Sequence, residues 1–193
     1  MLDFEEVALG DTLYQLDEAG IARAGAGSNR NEALEPACLS IAGLRVAVVA
    51  FTDNLPEYAA TESTPGTAHI EIDVDDSESR SLVRTSLSRA VDTDPDLIVA
   101  SLHWGPNMVE QPPPAFQRFG RWLVEQDVDL IHGHSAHIFH GIEVTGAGPI
   151  IYDAGDFVDD YAVNDELRND RSFLFVLEFD LLPRLTQWEN LLP

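Results

Sequence analysis

The sequence predicts an α/β protein, a layered sandwich of mixed β-sheets flanked by helices. Three observations carry that expectation. Short apolar runs at Leu97 to Trp104, Val128 to Ile131 and Pro149 to Tyr152 each end in polar, chemistry-bearing residues, as buried strands do when they deliver side chains to a sheet edge. Segments of helical period precede the first and the second of these runs, at 77–91 and 114–126. Toward the C-terminus apolar runs follow one another without a helix, which points to mixed rather than purely parallel pairing.

Taken in order, residues 3–19 are expected to be helical. Phe4, Val7, Ala8, Leu13 and Leu16 give an apolar stripe, Asp3 stands three residues before Glu6 as an N-cap, and Gly20 supplies the stop. The loop AGAGSNRNEALEP lacks the Gly-Lys-Ser or Gly-Lys-Thr of a phosphate-binding loop. Residues 38–42 and 45–51 read as two strands of a hairpin around Gly43, with Cys38 expected as a buried thiol. Thr52 to Asp76 reads as a long polar loop containing a short edge strand, HIEIDVD, and placing His69 at the surface. The helix at 77–91 starts at Ser77 as N-cap and turns Leu82, Val83, Leu87 and Val91 inward. The helix at 114–126 opens on proline and turns Phe116, Phe119, Trp122 and Leu123 inward. Asp156 to Asp170 reads as an acidic loop or short helix, Ser172 to Phe179 as a strand, and 185–192 as an edge strand.

The chain has 193 residues, 45% of them hydrophobic, enough for one domain with a real core. Its single cysteine permits no internal disulfide. There are 34 acids against 11 bases, all of them arginine, for a formal net charge of −23. That charge repels phosphate backbones, so no nucleic-acid partner is expected. Salt near molar strength shrinks the screening length to roughly 3 Å and relieves the self-repulsion, so the composition also points to a salt-rich, halophilic setting. There is no run of 18 apolar residues and no signal-like N-terminus, so no membrane span is expected and the chain reads as cytoplasmic.

The chemistry concentrates at 129–156. Four of the six histidines, His132, His134, His137 and His140, fall within nine residues, and His103 ends the strand before them. Imidazoles gathered at a strand end can meet on one cation. With no cysteine nearby, the expected centre is a histidine and carboxylate site of the hydrolytic kind.

The succession HWG at 103–105, GHSAH at 133–137 and YDAGDF at 152–157 resembles the CapA family of capsule and poly-gamma-glutamate biosynthesis proteins, within the calcineurin-like metallophosphatase superfamily. The family's usual motifs are His-Trp-Gly, Gly-His-x-Pro-His and Tyr-Ser-x-Gly-Asn-Phe. Here Ala136 replaces the proline, and Asp153 and Asp156 replace the serine and asparagine. The resemblance implies a metallophosphatase-like domain over 1–193. It implies metal ligands His103, His134 and His137, with Asp153 or Asp156 completing the shell and Asp3 matching the aspartate that closes the family's Asn-Asn-His-x-x-Asp motif. His103 and His134 are the candidate catalytic groups. His132 and His140 would orient the ligands, and Trp104 and Tyr152 would form packing walls. The implied cofactor is one or two divalent ions, manganese, iron or zinc. The implied substrate is a phosphoester or an acidic polymer, with capsule or polyglutamate synthesis proteins as partners. The alternative is a non-catalytic polymer-assembly or binding component, or an inactive fragment. The family's first strands and motifs would precede Met1, so the domain is expected to be N-terminally truncated. A preceding segment would allow a membrane-associated or extracellular location.

Overall fold

The computed structural model describes residues 5–158, 160 and 162–179. Asp3 and the expected edge strand at 185–192 lie outside the described residues. The elements in order are α1 (Glu5–Glu18), β1 (Ala26–Gly27), α2 (Arg30–Ala33), β2 (Ala37–Ile41), β3 (Leu44–Thr52), a 3-10 turn (Pro56–Tyr58) and β4 (Gly66–Thr67). They continue with α3 (Ser77–Asp92), β5 (Leu97–His103), α4 (Pro114–Glu125), β6 (Leu130–His134), β7 (Ile142–Val144) and β8 (Pro149–Ile151).

A six-stranded mixed sheet has the order β2-β3-β5-β6-β8-β7, and β1 pairs with β4 in a separate two-stranded sheet. The central strands β3, β5, β6 and β8 are parallel, and β2 and β7 run antiparallel at the two edges. The architecture is the expected α/β class. All four parallel strands therefore point their carboxyl ends the same way, toward one edge where open α/β sheets carry their ligands.

Strand alternation separates two faces. Ala47, Val49, Phe51, Ile98, Ala100, Leu102 and Ile131 are buried with Val83, Leu87 and Ala90 of α3 and Phe119, Leu123 and Val124 of α4. On the other face the alternate positions of β3, β5 and β6 are only partly covered. In the helix-covered layer Arg80 and Arg84 lie over the Trp122 ring, at 5.8 and 5.9 Å from its centre.

Several expectations are corrected. Asp76, not Ser77, caps α3, its carboxylate accepting the Ser79 N–H at 2.7 Å. A carboxylate serves that position well, because it meets both the orphan donors and the positive end of the helix. Among the described residues of α1 only Leu13 is buried, and Val7 is 73% exposed, so the apolar stripe from Val7 to Leu16 does not seat as a whole. Cys38 is exposed, because β2 is an edge strand whose residues after Ala37 face solvent. The HIEIDVD run forms no strand. It makes one parallel bridge, Thr52 to His69, and then turns into the α3 cap. Residues 172–179 are not a strand either. They lie beside the loop after β8, with Ser172 Oγ donating to the Ala154 carbonyl at 2.8 Å and Phe173 edge-on to Phe139.

Candidate metal centre

Ladder register places the histidines before any side-chain contact is considered. Thr52 pairs with His103, and His103 pairs with His134, each the last residue of its strand. Residues in register on parallel strands point to the same face. The bridge from Thr52 extends the row to His69. His132 lies two residues back from His134 on the same face, level with Ser101. The partly covered face of the sheet thus ends in a polar row, His69–Thr52–His103–His134, with Ser101 and His132 one step behind.

The turns that follow the strands are tight. Gly105 has φ +84°, and a Cβ there would stand 2.8 Å from the Phe116 ring. Gly133, between His132 and His134, packs so closely on the Tyr152 carbonyl and the Trp104 indole that no side chain fits. Trp104 Nε1 donates to that same carbonyl at 2.8 Å, tying the end of β5 to the end of β8. Tyr152 stacks near Trp104 and donates to Glu143, which also takes a forked pair from Arg121. Both aromatic residues serve as walls and clamps of the site.

Two of the histidine rings meet, His103 Nδ1 standing 3.3 Å from His134 Nδ1. Burial pushes the His103 imidazole below its ordinary value, and burial followed by the neighbouring His103 and His132 pushes His134 down to about 4. His132 is lowered by burial as well. These rings are therefore neutral at pH 7, the form that binds a metal. Ser101 Oγ stands 3.2 Å from His134 Nε2. A proton on Nε2, accepted by the serine oxygen, would leave the Nδ1 lone pair facing His103.

His137 reaches the site from the loop. Its Nδ1 lies 3.1 Å from each oxygen of Asp156, a carboxylate placed to hold the proton on that nitrogen and orient the ring. The loop that carries it is strained. Ser135 has φ 132° and His137 φ 61°, left-handed values that cost of order 1–3 kcal/mol for residues other than glycine. Asp153 holds that shape. It is 1% exposed, and its oxygens accept the Ala136 N–H at 2.7 Å and the Gly155 N–H at 2.8 Å. His140 ties the same loop to the β5–α4 connection by donating from Nε2 to the Val109 carbonyl.

Of the site residues expected from sequence, His103 and His134 are brought together, and His137 is brought to Asp156. Asp153 is engaged by backbone donors beneath the loop. Among the described residues no group of three histidine, cysteine or carboxylate side chains is close enough to hold an ion as it stands. Sequence reasoning missed Ser101, Asp53 and the half-buried His69. Asp53 follows the last residue of β3, and the strand-end rule that found His103 would have found it.

The family model described as "Bacterial capsule synthesis protein PGA_cap" matches residues 1–161. The chain belongs to this family. Within it, a probable polyglutamine synthesis accessory protein of Mycobacterium tuberculosis is 33% identical over 168 residues, which is 83% of this chain and 43% of that protein. The capsule biosynthesis protein CapA of Bacillus anthracis is 30% identical over 164 residues, 83% of this chain and 38% of its own length. The PGA biosynthesis protein CapA of Bacillus subtilis is 26% identical over 163 residues, 82% of this chain and 40% of its own. The chain thus spans about two fifths of the length of these PGA_cap relatives. A hypothetical protein from Thermus thermophilus aligns with a TM-score of 0.37 at 10% identity, over 62% of this chain and 38% of that one, too distant a likeness to bear on fold or chemistry. Among the described residues no helix is long and apolar enough to cross a membrane.

Proposed function

We propose that this PGA_cap chain carries a metal-dependent site for hydrolysis at phosphoesters, working in the synthesis of an acidic capsule polymer of the polyglutamate type. The observation that carries the reading is the pair of neutral imidazoles meeting Nδ1 to Nδ1 at 3.3 Å. Two nitrogens bound at about 2.0–2.1 Å to one tetrahedral ion stand roughly 3.3–3.4 Å apart. His103 and His134 therefore fit as two ligands of one ion, manganese, iron or zinc being the ions suited to imidazole and carboxylate. Bound there, a divalent cation would polarise a phosphoryl oxygen and lower the pKa of a coordinated water.

The remaining residues have distinct tasks. Ser101, 3.2 Å from His134 Nε2, would accept the proton there when Nδ1 binds the ion. Asp156 holds a proton on His137 Nδ1, which leaves the basic lone pair of that ring on Nε2 for a leaving oxygen or an ion. Asp153 keeps the loop in the shape that presents His137. A chain of net charge −23 approaches an acidic polymer or a phosphate only with cations between them, a further reason to place a cation at this edge.

A second reading has its own support. No three candidate ligands converge among the described residues, and one relative is named an accessory protein. On that reading the chain binds polymer or synthesis partners without turnover. Elemental analysis of protein purified in high salt without chelator separates the two. Near-stoichiometric manganese, iron or zinc, together with phosphoesterase activity, both lost in His134→Ala, is the expected result. Metal-free native protein without phosphoesterase activity sinks the hydrolase reading in favour of the binding component.

A further inference from the structure

Asp53 has no part in the chemistry proposed for the histidines, yet it holds the turn on which His103 sits. Its N–H donates to the His103 carbonyl at 3.3 Å, and both its carboxylate oxygens accept the Gly105 N–H at 3.1 Å. One residue at the end of β3 therefore grips both ends of the His103–Gly105 turn. That turn has little slack, since Gly105 is left-handed and backed by the Phe116 ring. The grip does not need a charge. An asparagine oxygen would accept the same N–H, and a neutral amide costs less to bury than a carboxylate. Asp53 is nonetheless a half-buried carboxylate, and among the described residues it has no arginine ion pair. Burial raises the Asp53 carboxyl above its ordinary value, opposed first by the Gly105 N–H and then by the His103 and His69 imidazoles, the two that flank Thr52 in the row at the sheet edge. The carboxylate thus serves the turn through its oxygens and places its charge beside the histidine row.

We propose that Asp53 is a positioning residue of the histidine site, fixing the turn that carries His103 and supplying a fixed negative charge that draws a divalent cation to the His103–His134 edge. The proposal rests on the metal-site reading and adds to it a group from β3, where no candidate ligand was expected.

Cobalt(II) serves as the probe, because its visible absorption reports nitrogen ligation. The native protein, Asp53→Asn and Asp53→Ser are titrated with cobalt alone and their affinities compared. Thermal melts report the fold, and hydrogen exchange at the Gly105 amide reports the grip. Asp53→Asn is expected to melt within about 2 °C of native and keep Gly105 protected, while binding cobalt about tenfold more weakly, the usual scale for loss of a partner just outside the ligand shell. Asp53→Ser, a second neutral acceptor, is expected to weaken cobalt binding alike, and it provides the reading should the asparagine variant not fold. Native-like cobalt affinity in a folded neutral variant overturns the proposal and leaves the metal site standing. A native protein that binds no cobalt overturns the metal-site reading and this proposal together.

Discussion

His134 and His137 stand three residues apart and are held in opposite ways. His134 is fixed by the sheet. Its backbone is in register with His103, its carbonyl accepts the Trp104 N–H at 3.0 Å, and burial keeps its ring neutral. His137 is fixed by side chains. It sits on a left-handed residue of a strained loop, with Asp156 on its ring and Asp153 beneath its backbone. The strand delivers an imidazole at the cost of desolvating it, and the loop delivers one at the cost of backbone strain. The first arrangement fails when packing fails, and the second when a carboxylate is lost. That contrast can be broken from either side.

The largest effect is expected from the sheet side. In Gly133→Ala the new methyl would meet the Tyr152 carbonyl oxygen and lie 2.6 Å from Trp104 Nε1, within a buried hydrogen bond that joins β5 to β8. Neither the backbone oxygen nor the enclosed indole can yield cheaply. Overpacking of this kind costs about 3 kcal/mol. Urea denaturation measures it, with cobalt binding lost in parallel. A loss under about 0.5 kcal/mol, of the size typical of an ordinary surface change, would mean that the strands do not hold the histidines as tightly as their register implies.

Acid sharpens the same contrast. The folded His134 titrates at about 4 and the unfolded at the ordinary value of 6.5. Between those values the unfolded chain binds a proton that the folded chain refuses. The contribution is fully present above pH 6.5 and is lost as pH falls toward 4. Over that span it amounts to up to about 3 kcal/mol. His103 and His132 are lowered by burial too and act in the same direction. Chemical denaturation from pH 7 to pH 4 should show stability falling on acidification, with a shallower fall in His134→Ala. An equal slope in native protein and variant would show that the sheet does not keep this imidazole neutral.

The contrast also explains what could be read from the sequence. The apolar runs ending at His103, His134 and Tyr152 were legible because a buried strand must be apolar along its length and can be polar only where it leaves the sheet. The helices α3 and α4 were legible because Leu87 and Phe119 recur with their neighbours at helical spacing. Within the loop the sequence picked out Asp153 and Asp156 as candidates, but not their division of labour. Whether a carboxylate turns to a backbone N–H below or to an imidazole above depends on loop dihedrals that composition does not carry. Asp53 and His69 were passed over because the pairing of Thr52 with His103 is non-local, and because the HIEIDVD alternation drew His69 into a strand that does not form. Residues 172–179 are as apolar as a buried strand would be, yet Leu174 and Val176 are 80% and 84% exposed. An apolar run has the composition of a strand but does not supply a neighbour to pair with.

The smallest effect on stability, and the most selective on the site, is expected from Asp156→Asn. The His137 and Asp156 side chains are 24% and 21% exposed, so solvent screens the pair and its loss should move stability by no more than about 1 kcal/mol. The amide oxygen can still accept from His137 Nδ1, but it no longer carries the charge that strengthens the bond and orients the ring. Cation affinity should then fall about tenfold, against complete loss in His134→Ala, as read by calorimetric titration with zinc. Should the asparagine variant bind zinc as the native protein does, the Asp156 contact serves only to pin the loop, and His137 belongs with His140 among the residues that hold the loop in place. Should it instead destabilise as strongly as Gly133→Ala, the loop is no less dependent on its packing than the strand, and the distinction between the two histidines falls.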